Sequence, residues 1–138
     1  MFPGSTIAAR RRRCDAGTVL RLLIVDDNPS FLEAASSLLE REGLAVAGVA
    51  TSAEQAVGQA EALAPDVVLV DVMLGSESGL ELAHDLAKLN GGVKVILMST
   101  HSETHLGELL ADTPAIGFIP KMRLSAAEVD RLVAGSAE

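Results

Sequence analysis

Four short stretches of this 138-residue chain carry groups able to do chemistry: Asp26-Asp27, Asp71, Ser99-Thr100 and Lys121. Three carboxylates drawn into one cleft repel one another, and each becomes harder to ionise. A hard divalent cation removes that penalty. Magnesium binds oxygen ligands, keeps several waters and uses few carboxylates. Asp26, Asp27 and Asp71 suit such a site. Asp71 has a second option, because a carboxylate can attack phosphorus and form an aspartyl phosphate. The transferred group then needs positive charge and hydrogen bonds around its oxygens. The cation, the Lys121 ammonium and the Ser99 hydroxyl would supply them. Each piece alone is weak. An acidic pair after a strand is most often a cap at a helix start, and Asp71 could be one too. Ser99 and Thr100 could be ordinary helix-start residues, and Lys121 a surface lysine. The joint pattern is far more specific if one fold brings the four stretches together.

The elements that must position these groups alternate along the chain. Residues 67 to 70, Val-Val-Leu-Val, show no polar alternation and read as a strand buried on both faces, with Asp71 at its end. Residues 20–28 read as a first strand that ends in the acidic pair. Asn28-Pro29 opens a helix with Phe31, Leu32, Ala35, Leu38 and Leu39 at helical spacing, stopped by Gly43. Residues 44–50 are a second strand. Thr51 with Glu54 has capping-box spacing and begins a second helix, ended by Pro65. The loop of residues 74–78 leads through Gly79 to a helix with Leu82, Leu86 and Leu89 on one side. Residues 93–100 form a fourth strand, followed by a weaker helix with Leu106, Leu109 and Leu110, in which Gly107 costs stability. Residues 115–121 are a fifth strand. Ser125 with Glu128 is a second capping box before a helix carrying Val129, Leu132 and Val133. Such alternation predicts an α/β fold, a flavodoxin-like doubly wound five-stranded parallel sheet in the order 2-1-3-4-5 with five helices. In that order the four reactive stretches meet at the carboxyl rim of the sheet.

Composition narrows the function further. The chain is long enough for one domain, with 1–19 expected as a flexible basic tail and 20–138 as the folded domain. The formal charge is −8, although four of the eleven basic residues are Arg10 to Arg13. The folded part is thus strongly acidic and disfavours direct contact with nucleic acid. The arginine run reads first as a solvated tail, and second as a contact to an acidic partner or membrane surface. One cysteine, Cys14, gives neither a disulfide framework nor a metal cluster and fits a reducing cytoplasm. No signal peptide or membrane span is evident. His84 and His105 read as helix-surface histidines, Phe31 as a core residue, and Met73 and Met98 as packing residues.

Across residues 20 to 134, these residues and spacings resemble the receiver domain of two-component response regulators. The resemblance implies that Asp71 is the phosphoacceptor. It implies that Asp27 binds magnesium directly, that Asp26 does so mostly through water, and that Met73 offers its backbone carbonyl. Gly79 matches the glycine eight residues after the acceptor. Ser99, 28 residues after Asp71, matches the hydroxyl switch residue, and Lys121 the lysine 22 residues further on. Phe118 matches the aromatic switch, which turns inward when the hydroxyl meets the phosphoryl group. The surface that moves is the fourth helix, fifth strand and fifth helix, which can also pair two copies. Three departures stand out. Leu74-Gly75 replaces a frequent proline, Pro120 precedes the lysine where the family has proline after it, and Thr100 replaces a smaller alanine. Met73 and Thr100 are expected to shield the acyl phosphate and slow its loss, whereas His101 could orient water.

The expected function is therefore that of a single-domain, chemotaxis-regulator-like response regulator in the cytoplasm. It would take a phosphoryl group on Asp71 from a histidine kinase or phosphotransfer protein with Mg²⁺ present. Output would pass to a downstream protein or along a relay, since little chain follows Lys121. It is not expected to be an enzyme beyond self-phosphorylation and autodephosphorylation. The alternatives are a pseudo-receiver that is never phosphorylated and a small phosphatase of the haloacid dehalogenase type. The phosphatase would need an acid two residues after its nucleophile, where Met73 stands. A dinucleotide site is disfavoured because no G-x-G-x-x-G follows the first strand.

Overall fold

The structure is a computed structural model that describes residues 13–15, 18–74, 77–89, 93–99 and 113–136. Five parallel strands form one sheet: β1 (Arg21–Val25), β2 (Ala45–Ala50), β3 (Val67–Asp71), β4 (Lys94–Ser99) and β5 (Gly117–Pro120). Their spatial order is β2-β1-β3-β4-β5. Four α-helices lie among the described residues: α1 (Pro29–Arg41), α2 (Ala53–Leu63), α3 (Gly79–Ala87) and α4 (Ala126–Ser136). The doubly wound architecture and strand order match the expectation. The helix expected around Leu106 to Leu110 lies outside the described residues, so α4 is the last of the five expected helices. Residues 1–12 of the expected tail also lie outside them. Within that tail, Arg13–Asp15 pairs with Thr18–Val19 as a short antiparallel ladder.

The two faces of the sheet divide the core. Leu22, Ile24, Leu69, Ile96, Met98 and Ile119 point to one side, against Leu32, Ala35 and Leu39 of α1 and Val129 and Val133 of α4. Leu23, Val25, Val68, Val70 and Leu97 point to the other, against Ala56 and Ala60 of α2 and Leu82, Ala83 and Leu86 of α3. Residues 67 to 71 are all buried. This follows from β3 sitting in the middle with helices on both sides, which is why its sequence lacks polar alternation. Burial of this aliphatic surface is the main driving force for folding.

One helix start is capped one residue away from the expected position. Asn28 caps α1, and its side chain accepts from the N–H groups of Ser30 and Phe31. The cap of α2 is Ser52 rather than Thr51; Ser52 accepts from Gln55 N–H, while Gln55 Oε1 accepts from Thr51 N–H. Ser125 accepts from Glu128 N–H as expected. The Glu128 carboxylate does not complete the box and instead pairs with Arg131. Ala64, with φ 49°, closes α2 in the left-handed region before Pro65. The Arg21 guanidinium donates to the Leu63 and Ala64 carbonyls at that end, where the helix dipole favours a cation.

Gly79 joins the fold to the site. Its N–H donates to the Val72 carbonyl at 2.8 Å, holding the start of α3 against the end of β3. A Cβ at this position would collide with the Asp71 carbonyl oxygen, a backbone atom that cannot swing aside. Gly79→Ala is therefore expected to destabilise the protein by roughly 1–3 kcal/mol through overpacking. Urea unfolding measures this, and a wild-type midpoint for the variant would contradict the close approach.

Candidate phosphoryl-acceptor site

Strand register brings the four reactive stretches level. Val25 of β1 pairs with Val70 of β3, so Asp26 leaves its strand alongside Asp71. Asp71 itself pairs with Met98, and Ser99 is the next residue of β4. Ser99 pairs with Pro120, and Lys121 follows as the first residue of a single 3-10 turn, Lys121–Arg123. Residues distant in sequence thus reach one rim because parallel strands in register all end on the same side.

Asp26 is fully buried. Its own N–H donates to the Ala50 carbonyl, and its Oδ1 accepts from Asn28 N–H at 2.9 Å. Oδ2 makes an ion pair with Lys121 Nζ, which touches it without hydrogen-bond geometry. Asp27 is exposed at the rim. Asp71 is buried; its Oδ1 accepts from Met73 N–H at 3.0 Å and its Oδ2 from Lys121 Nζ at 3.0 Å. The ammonium therefore bridges two carboxylates.

This bridging shows in the proton affinities. Burial pushes the Asp71 carboxyl above the usual carboxylate range; the Met73 N–H and Lys121 oppose that only in part, and the Asp26 charge adds to it. Burial also pulls the Lys121 ammonium down, but its contacts with Asp26 and Asp71 outweigh this and hold its pKa above that of an ordinary lysine.

One carboxylate oxygen from each of Asp26, Asp27 and Asp71 lies within 4.8 Å of the others. Opposite ligands of an octahedral magnesium ion stand about 4.2 Å apart. The donors are all hard oxygens, and the buried Asp26 Oδ2 has the Lys121 ammonium as its partner. Three carboxylates against one ammonium leave two negative charges unbalanced, the charge of one divalent cation. The residues present fit such an ion.

Ser99 is buried at the end of β4. Phe118 is half-buried and packs on the α2–α3 side of the sheet. Thr100, His101 and His105 lie outside the described residues, and His84 is exposed on α3. Met98 is buried as expected, but Met73 is not a packing residue. Its side chain is 67% exposed, because it stands beyond the strand end in a two-stranded turn with Glu77–Ser78. Its backbone N–H is what touches the site. Phe31, read from sequence as core, packs on the core and also faces the Lys121 ammonium. Its place in the first turn after the acidic pair was the signal that could have found it.

With this geometry in place, the comparisons are consistent with one another. Residues 22–132 match the response regulator receiver domain family model. The chain belongs to that family, the receiver domains of two-component response regulators. Among curated proteins it is 28% identical over 102 residues to the DNA-binding transcriptional activator EvgA of Escherichia coli, covering 74% of this chain and 50% of that protein. It is 32% identical over 104 residues to the response regulator UvrY of Escherichia coli, covering 75% of this chain and 48% of that one. The chain thus spans about half the length of these relatives. Among solved structures, a two-component response regulator of the LuxR family from Aurantimonas is 25% identical with TM-score 0.75, covering 86% of this chain and 87% of that one. The receiver domain of the response regulator NarL from Mycobacterium tuberculosis is 25% identical with TM-score 0.72, covering 83% and 96%. No helix among the described residues is long and apolar enough to cross a membrane.

The raised Asp71 pKa has a definite sign. Its contribution to stability is complete below the ordinary carboxylate pKa and is lost as pH rises through the raised value. The metal-free wild type should therefore lose stability relative to Asp71→Asn across that acidic window. Thermal melts in chelator from acid to neutral pH measure the difference between the two midpoints. A difference that moves in the wild type's favour with rising pH would contradict the burial argument. Mg²⁺ should restore the wild type at neutral pH and leave Asp71→Asn nearly unchanged.

Proposed function

We propose that this domain is a phosphoryl-acceptor switch, with Asp71 taking the group from a histidine kinase or phosphotransfer protein. The observation that carries this reading is the arrangement at Asp71: a nucleophilic carboxylate gripped by Lys121 and set among two further acids that fit a cation. An Asp71 oxygen forms the new O–P bond while the N–P bond of a donor phosphohistidine breaks. The electron pair of the broken bond stays on the imidazole nitrogen.

Asp26, Asp27, Asp71 and the Met73 carbonyl would hold a magnesium ion, which when bound offsets the charge of the phosphoryl oxygens. The chain supplies the rest. Lys121 already lies on Asp71 Oδ2 and neutralises charge where the group arrives. The Met73 N–H fixes Oδ1 and so sets the carboxylate plane. A phosphoryl group adds about two negative charges, which bias any nearby element with two arrangements. Ser99 at the end of β4 and Phe118 within the neighbouring β5 are the pair assigned that response. Output then goes to a downstream protein or along a relay. The acidic domain itself is read as making no contact with nucleic acid. The DNA-binding activity in the name of EvgA is that of a protein of which the part matched here is 50%. We read the domain as a phosphoacceptor and not as an enzyme acting on a separate substrate.

The test is labelling with acetyl phosphate and Mg²⁺, read by intact mass. One phosphoryl group is expected on the wild type and none on Asp71→Ala; equal labelling of both would place the chemistry elsewhere. The exposed Met73 thioether is a weak acceptor and a poor guide for an attacking water. Met73→Asn is therefore expected to shorten the lifetime of the acyl phosphate, and an unchanged or longer lifetime would remove Met73 from the account.

A further inference from the structure

We propose that Phe31 is a positioning residue for Lys121, a role that rests on reading Asp71 as the phosphoacceptor. The Lys121 Nζ lies 4.5 Å from the centre of the Phe31 ring. An aromatic face attracts a cation within about 6 Å. Phe31 is fixed from two directions. Its N–H donates to the Asn28 side chain at 3.3 Å in the first turn of α1. Its half-buried ring packs on the core between α1, α4 and the sheet. The same Asn28 donates its own N–H to Asp26 Oδ1. The ring and one of the carboxylates that grip Lys121 therefore hang from a single helix cap.

The three groups around the ammonium are not equivalent. Asp26 and Asp71 also belong to the acidic cluster that fits a divalent cation, so their oxygens must be shared with it. The ring has no atom that a hard cation would take as ligand. When the carboxylates turn to the cation, the ring keeps the ammonium over Asp71, where the incoming oxygens need it. Without that hold, a flexible four-carbon stem would spread over many rotamers. Packing alone does not require an aromatic here. Among the described residues the buried apolar side chains are aliphatic apart from Met98, and leucine would fill the same apolar contact as the half-buried Phe31.

The experiment uses the whole chain with Phe31→Leu, Phe31→Tyr and a series of ring-fluorinated phenylalanines at position 31. The first readout is a double-mutant cycle with Lys121→Met, followed by urea unfolding with Mg²⁺ present, which involves no phosphoryl transfer. The shifts of Phe31→Leu and Lys121→Met are expected to be non-additive, and Phe31→Tyr to keep the coupling. The second readout is the rate of labelling by acetyl phosphate. Phe31→Leu is expected to slow it roughly threefold to tenfold. Phe31→Tyr should restore it, and successive ring fluorines should slow it in graded steps. Additive shifts in the cycle, or fluorinated rings that all label alike, would overturn the proposal. A wild type that takes no label defeats the reading of Asp71, and the cycle alone then decides whether the ring holds the ammonium.

Discussion

One ammonium group holds the rim of this sheet together. Lys121 reaches Asp26 and Asp71, two carboxylates that the fold has removed from water, and lies against the face of an aromatic ring. Burying one such charge unpaired costs several kcal/mol. Burying two side by side is tolerable only with a cation between them. Lysine suits this place because its charge is compact and its stem flexible. Under the proposed function, the same flexibility would let it exchange carboxylate contacts for phosphoryl oxygens without moving the backbone. The residue that stabilises the resting rim is also the one to which the proposed phosphoryl transfer assigns charge neutralisation.

The backbone around that contact is arranged to keep the carboxylates still. Asp26 is tied through both its N–H and its Oδ1, to β2 and to the cap of α1. Asp71 is tied through Oδ1 to the chain two residues on. Gly79 brings the start of α3 close enough to lock the turn after β3. Glu77 in that turn accepts the N–H of Ala53, so the loop after Asp71 also closes the first turn of α2. Helix starts, strand ends and acids thus form one connected network. The Lys121 ion pairs and these hydrogen bonds connect Asp71 to the starts of α1, α2 and α3.

Much of this could be read from the sequence because the signals were local or periodic. The unbroken apolar run at Val67 to Val70 gave a buried strand, and five alternations of strand and helix gave a doubly wound sheet. Asp26, Asp71 and Lys121 were legible because each follows directly after or ends a strand pattern. Errors arose where a side chain chooses among neighbours the sequence does not show. Thr51 and Ser52 are both competent caps, and only the backbone path selects Ser52. Met73 has the character of a core residue, yet the chain turns away from the core after Asp71. Phe31 scored as core on helical spacing, and its second contact comes from a lysine 90 positions away.

The sequence by itself determined which residues could carry charge to the rim and that parallel strands would deliver them there. Periodicity and strand-end chemistry are written in consecutive residues, and parallel pairing sends all the carboxyl ends to one side. Only the tertiary structure decided which oxygen meets which nitrogen, that Asp26 is buried while its neighbour Asp27 is not, and that an aromatic ring shares the lysine. Those outcomes depend on strand register, helix caps and desolvation, each of which sums contributions from segments far apart in the chain.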